Sequence, residues 1–299
     1  MIETFTVALG NGIDLSCRAA GRAGAPVLVF LHGFPEAAFV WDGLLEHFSD
    51  RYRCVAPNLR GYEHSSAPAD VGAYRAKHLI GDVSSLIDAL GGELAALVAH
   101  DWGGALAWGL AAQRPEAIRR LVIINSPHPA TFLRELRGSP AQQAASAYMN
   151  FLCRPDAEAL LSENDFARLW PFFINMGAAD PGREGGGWLT EEVRERYRAV
   201  WRIGLRGGCN YYRASPLRPP LGPADAVMTI ELPPASVTSH VPTLVIWAED
   251  DIALPVALLN GLDAYVPDLR IVRVPGATHW IVHERPAFVG AEIERELAR

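Results

Sequence analysis

An aspartate at the tip of a strand-to-helix turn is the first place in this sequence where residue type and spacing imply chemistry. The run Val98-Ala99-His100-Asp101-Trp102-Gly103-Gly104 closes an apolar strand and opens a helix. So sharp a turn needs small residues around its exposed position, and Ala99 and Gly103 supply them. This is the pattern of a nucleophile elbow with aspartate in the nucleophile's place, and G-x-S-x-G occurs nowhere in the chain. An isolated Asp-x-Gly would be read as a helix N-cap, a role aspartate often fills. Three further motifs argue for chemistry instead.

Leu31-His32-Gly33-Phe34-Pro35 follows the first apolar run of the chain. A turn there can aim the Phe34 backbone N–H at an anionic oxygen, with the Trp102 N–H at a helix start as its partner. Trp247-Ala248-Glu249-Asp250-Asp251 places acids after another apolar run, on the edge where doubly wound sheets bind ligands. Three consecutive acids leave the choice among them open. Gly276-Ala277-Thr278-His279-Trp280 follows the last apolar run. A lone histidine beside aromatics is commonly a packed residue, but one at this position can face the same crevice. Nucleophile, then acid, then histidine is a chain order that builds a catalytic triad.

The elements that must hold these residues are legible as apolar runs. They are Val27–Leu31, Arg53–Ala56, Leu94–Ala99, Leu121–Ile124, Thr243–Trp247 and Ile271–Val274. Runs apolar on both faces suit the interior of a parallel sheet covered by helices. Leu79, Ile80, Val83, Leu86, Ile87 and Leu90 recur at helical spacing until Gly91-Gly92. Gly103–Gln113 is a second helix, and Pro286–Leu297 a third with proline in its first turn. This alternation predicts an α/β fold with a doubly wound, mostly parallel sheet. It breaks between about His128 and Ser239, a helical stretch rich in arginine and aromatics. The expected organisation is a core from 1–127 and 240–299, with a helical cap inserted at 128–239.

Composition narrows the function classes. The 299 residues carry 27 lysines and arginines against 34 aspartates and glutamates, a net charge of -7. No basic cluster favours nucleic acid. The longest apolar stretches are strand-sized, so no membrane span is expected. Met1 to Asn11 does not read as a signal peptide. Cys17, Cys54, Cys153 and Cys209 are scattered without a CxxC pair and are expected to be free thiols, not metal ligands. These features favour a cytoplasmic, reduced, soluble protein, and they leave the oligomeric state open between monomer and homodimer.

Over nearly its whole length the chain resembles the epoxide hydrolases of the α/β-hydrolase superfamily. The resemblance rests on His32-Gly33-Phe34-Pro35-Glu36, Leu59-Arg60-Gly61-Tyr62, His100-Asp101-Trp102-Gly103-Gly104 and Asn125-Ser126-Pro127-His128-Pro129. Asn210-Tyr211-Tyr212-Arg213 and His279-Trp280 with Glu284-Arg285-Pro286 complete it. It implies Asp101 as nucleophile, His279 as general base and Asp251, in preference to Asp250, as the acid that orients the histidine. It also implies that Tyr148 and Tyr212 of the cap activate the epoxide oxygen. An aspartate suits attack on a saturated carbon: with an ordinary pKa of about 3.9 this residue type needs no base to start. The implied product of attack is an ester on Asp101, which water then hydrolyses to a diol. Phe34, Trp102 and Phe151 are expected to line an apolar pocket for an apolar or aromatic epoxide.

Some positions depart from the family pattern. Ala99 and Ala248 stand where glycine is frequent, and Glu63-His64 replaces the usual Gly-Asp after Arg60-Gly61-Tyr62. Haloalkane and haloacetate dehalogenases share the fold and the aspartate. The former often have Asn where Phe34 stands and the latter Arg where Trp102 stands. Haloacetate dehalogenases also tend to carry the acid at the position of Asn125. A non-catalytic ligand-binding relative would usually have lost part of the catalytic set, whereas every member has a candidate here.

Overall fold

The computed structural model describes all 299 residues. Its strands are β1 (Glu3–Ala8), β2 (Asp14–Ala20), β3 (Val27–Leu31), β4 (Arg53–Pro57), β5 (Ala96–His100), β6 (Leu121–Ile124), β7 (Thr243–Ala248) and β8 (Leu269–Val274). They form one sheet in the order β1-β2-β4-β3-β5-β6-β7-β8. Strands β3 to β8 run parallel, and β1 and β2 add antiparallel at one edge. The helices of the core are α1 (Asp42–Phe48), α2 (Ala76–Ala89) and α3 (Trp102–Gln113) before the insertion. Between β6 and β7 lie α4 (Pro129–Gly138), α5 (Pro140–Ala145), α6 (Ala147–Leu152), α7 (Ala157–Phe166), α8 (Trp170–Ile174), α9 (Glu191–Ile203) and α10 (Arg206–Ala214). After the sheet come α11 (Ile281–Glu284) and α12 (Pro286–Leu297).

The period of two explains why the parallel strands are apolar throughout. In β3, Val29 and Leu31 face the core that includes α2, α3 and the inserted helices. Leu28 and Phe30 face a second core built with α1 and α12 around Trp41 and Phe48. Strand β5 splits the same way, with Leu97 and Ala99 on the first side and Ala96 and Val98 on the second. A polar residue on either face would lose its water, so both faces stay apolar.

Strands β1 and β2 escape the apolar-run criterion. Alternate β1 side chains are exposed, so the segment shows no continuous run. Strand β5 starts at Ala96 instead of Leu94, because Leu94 makes only an isolated bridge to Ile118. Strand β8 begins two residues early, at Leu269, where Arg270 and Arg273 interrupt the apolar signal at the sheet edge. No helix is long and apolar enough to cross a membrane. All four cysteines are unpaired, three of them buried.

Candidate active site

The elbow forms because its neighbours leave room for it. Asp101 follows β5 with φ 50° and ψ -122°, a conformation that costs a non-glycine residue on the order of 1–3 kcal/mol. The packing around it holds that strain. A Cβ on Gly103 would lie 2.5 Å from the Leu31 carbonyl oxygen, and one on Gly104 would collide with Ser126. The Ser126 hydroxyl donates to the Asp101 carbonyl at 2.6 Å. The Asp101 side chain makes no capping bond to α3, so the N-cap alternative does not describe it. Its Oδ1 instead accepts the Phe34 backbone N–H at 2.8 Å. A Cβ on Gly33 would overlap the carboxylate, which is why the turn after β3 needs glycine at that position.

His279 lies in the loop after β8, its Nε2 3.7 Å from Asp101 Oδ2. Its Nδ1 is 2.7 Å from Asp251 Oδ2. That contact assigns the hydrogen to Nδ1 and leaves the Nε2 lone pair of the neutral ring facing Asp101. Asp251 is buried and further bound by Asn125 Nδ2 at 2.8 Å and by the N–H groups of Ala253 and Leu254 at 2.8 and 3.0 Å. The other two acids of the run point elsewhere: Glu249 pairs with Arg273, and exposed Asp250 lies 3.7 Å from Arg183. Asn125, with φ 37° at the end of β6, joins β6 to β7 by bonding both polar groups of Ala248.

Burial opposes charge on His279, but Asp251, Asp101 and Glu36 outweigh it and lift its pKa to about 9. Burial opposes charge on Asp251 as well, and the His279 cation with its hydrogen bonds holds the carboxyl below the usual range. The two shifts are the two sides of one ion pair.

Two tyrosines of the inserted helices face the aspartate across a cavity. Tyr148 stands on α6 and Tyr212 on α10, with ring centroids 6.0 Å apart. Tyr148 packs edge-on against Phe172 at 5.5 Å. Tyr212 packs edge-on against Phe34 at 5.3 Å and Trp102 at 5.1 Å. Burial, and in both cases the Asp101 charge, push the two phenols up, so both hold their protons as donors.

The aim of Tyr212 is set by its neighbours in the chain. Gly207 on α10 sits against Gly61, and a Cβ on Gly207 would collide with Gly61 backbone. Tyr211, immediately before Tyr212, donates to the Arg60 carbonyl at 3.0 Å. Arg60 itself is fixed by a bidentate pair with buried Asp82, both contacts at 2.6 Å. On the other side Arg213 grips Glu158 of α7 at 2.6 and 2.7 Å. The Arg-Gly-Tyr and Asn-Tyr-Tyr-Arg motifs are therefore two halves of one contact between core and insertion. Glu63 has a structural role in the same loop: it sits at φ 47° and accepts from Asn58 Nδ2.

Two cavities meet at Asp101, Tyr148 and Tyr212. One, of about 310 Å³, runs toward α2 and α3 and is lined by Leu79, Ile80, Leu106, Phe132, Met149 and Leu217. The other, of about 370 Å³, is lined by Phe34, Phe172, Ile252, His279 and Trp280. Phe151 lines neither, being half-buried against the hydrophobic core, and Met149, two residues earlier on α6, faces the first cavity. Apolar residues two apart on an α-helix point in different directions, and sequence alone does not choose between them.

Fold and site together define an α/β hydrolase whose elbow carries an aspartate. A family model described as the alpha/beta hydrolase fold matches residues 26–154. Epoxide hydrolase 4 of Mus musculus is 33% identical across 95% of this chain and 76% of its own. A Bacillus megaterium epoxide hydrolase in complex with an inhibitor matches at a TM-score of 0.89 and 28% identity, covering 99% of this chain and 100% of that one. A structure of epoxide hydrolases from metagenomes of hot environments matches at a TM-score of 0.85 and 39% identity, with 99% of both chains covered. The chain belongs to the epoxide hydrolase family of the α/β-hydrolase superfamily.

Proposed function

We propose that the chain opens an apolar or aromatic epoxide to a vicinal diol through a covalent ester on Asp101. The observation that carries this reading is one carboxylate between two phenol donors and a histidine base, at the junction of two apolar cavities. Asp101 Oδ2, which the Phe34 N–H leaves free, attacks an epoxide carbon. The C–O bond breaks, and the departing oxygen takes a proton from Tyr148 or Tyr212. His279 Nε2 then removes a proton from water, and the resulting hydroxide adds to the ester carbon of Asp101. The Phe34 N–H already on Oδ1 receives the oxyanion, with the Trp102 N–H at the start of α3 as the second donor this reading assigns. Collapse releases the diol alkoxide, which takes the proton from His279, and the proton left on the regenerated Asp101 carboxyl returns to the phenolate of Tyr148 or Tyr212. Residues 128–239 serve as the cap that delivers the tyrosines and closes the cavities. No step needs a metal or organic cofactor. Four unpaired cysteines fit a reducing compartment, the cytoplasm.

The pH dependence of the second step follows with a definite sign. His279 must be neutral to accept a proton, so ester hydrolysis gains rate as pH rises. Its pKa is about 9 while Asp101 is charged, and esterification removes that charge from 3.7 Å away. The midpoint for hydrolysis of the preformed ester is therefore expected below 9. Single-turnover decay of the ester across pH measures it, and a rate that falls with rising pH would contradict the assignment.

A paired assay tests the activity. Styrene oxide, an aliphatic epoxide, a bromoalkane and a haloacetate are offered in parallel, with diol and halide followed together and Asp101→Asn as the blank. Diol without halide release, lost in the variant, is expected. Halide release with no diol from either epoxide would assign a dehalogenase.

A further inference from the structure

Behind the triad lies a buried polar chain that the proposed steps leave unused. Glu36 follows the turn after β3 and is 1% exposed, and His100 ends β5 and is also 1% exposed. Tyr197 comes from α9 of the insertion and is fully buried, and His283 comes from α11. The Tyr197 hydroxyl donates to Glu36 Oε1 at 2.7 Å, and His283 Nε2 meets the same oxygen at 2.7 Å. The His283 ring stacks on Trp188 at 4.1 Å. The second carboxylate oxygen, Oε2, faces His100 Nδ1 at 3.4 Å, within ion-pair range, and neither atom makes a hydrogen bond. On the far side His100 Nε2 is 2.9 Å from the backbone carbonyl of His279.

Donor and acceptor rules give this chain a direction. A carbonyl only accepts, so His100 Nε2 carries a hydrogen. Nδ1 and Oε2 are then satisfied only with a proton lying between them. A path with one 3.4 Å ion-pair link thus runs from α9 and α11, through Glu36 and His100, to the backbone of the residue that faces Asp101. Three buried polar side chains and a partly buried histidine are a costly way to fill a core that apolar residues could fill. The path ends on His279 itself, whose ring centroid is 4.6 Å from that of His100. The flanking residues have separate anchors, Thr278 on Glu284 and Trp280 Nε1 on the Phe172 carbonyl.

We infer that Tyr197 and His283 are positioning residues for the general base: acting through Glu36 and His100, they hold His279 in register with Asp101 and couple the seating of the helical insertion to ester hydrolysis. The inference rests on the aspartate-ester reading above. It predicts an effect confined to one half of the reaction, because the attack by Asp101 needs no base and the hydrolysis does.

The test resolves the two steps by stopped-flow and single-turnover kinetics with styrene oxide. Tyr197→Phe and His283→Leu are each expected to slow ester hydrolysis about tenfold while alkylation stays within about twofold. The alkylated enzyme then accumulates during turnover, seen by intact mass, and kcat and KM fall together. His283→Gln keeps an N–H donor toward Glu36 and is expected to restore most of the hydrolysis rate, which a merely space-filling role would not require. Circular dichroism and thermal melting confirm that each variant folds. If Tyr197→Phe fails to fold, the two His283 variants decide. Unchanged hydrolysis in folded His283→Leu, a parallel fall of both steps, or no rescue by glutamine overturns the inference. Absence of an alkylated species in the wild type and in His279→Gln alike would overturn the ester mechanism itself, and this inference with it.

Discussion

His279→Gln is expected to stop at the covalent ester. Glutamine fills much of the imidazole's space but cannot accept a proton from water at neutral pH. Loss of a positioned general base typically costs 10²–10⁴-fold. That loss falls on hydrolysis, while attack by Asp101 proceeds. Mixing the variant with substrate should therefore leave one equivalent of ester per chain. Intact mass is informative about the leaving group as well. An epoxide adds its whole mass, because its oxygen stays on the product, whereas a haloalkane adds its mass less hydrogen halide. Peptide mapping should place the adduct on Asp101, the carboxylate 3.7 Å from His279 Nε2. Substantial turnover by the folded variant, or no adduct with a substrate that the wild type consumes, would remove His279 from the second step.

Tyr148→Phe combined with Tyr212→Phe should abolish epoxide opening. The oxygen that leaves carbon gains nearly a full charge in a cavity lined mainly by apolar side chains. Two phenol donors are the groups placed to receive it. A hydrogen bond to a charged group contributes roughly 1.5–3 kcal/mol, so each single variant should lose ten- to a hundredfold in alkylation rate. The double variant should lose on the order of 10³-fold or more. Phenylalanine keeps the edge-on packing of Tyr148 on Phe172 and of Tyr212 on Phe34 and Trp102, so the fold should survive. Alkylation within tenfold of wild type in the double variant would take the tyrosines out of the chemistry. Normal halide release by the same variant would show that they matter only for an oxygen leaving group.

Much of this architecture is legible before any coordinates. Parallel strands buried on both faces write themselves as apolar runs, and β3 and β6 fall on the runs Val27–Leu31 and Leu121–Ile124. The elbow is legible because the constraint is local: Ala99, Gly103 and Gly104 are small where Leu31 and Ser126 crowd in. The N-terminal hairpin is less legible, because an exposed edge strand such as β1 carries no continuous hydrophobic signal. Within the site, the choice of Asp251 over Asp250 could not be made from Glu249-Asp250-Asp251 by pattern alone. Burial and the 2.7 Å contact with His279 separate them in space. Phe151 was expected in the pocket and lines neither cavity, because each step along a helix turns the side chain by about 100° and the apolar pattern alone does not say which residue of α6 faces inward.

By itself, the sequence determined that an aspartate sits at a strand-to-helix turn, followed after a helical insertion by an acid loop and then a histidine loop. Those features depend on residues a few positions apart, where backbone geometry is set by local sterics and by which faces are buried. The tertiary structure alone decided how the insertion is aimed. It presses Gly207 onto Gly61, turns Tyr212 toward Asp101, and joins Tyr197 to Glu36 across 161 positions of sequence. Contacts of that range follow from how whole elements pack, and no local pattern in the chain encodes the distance between them.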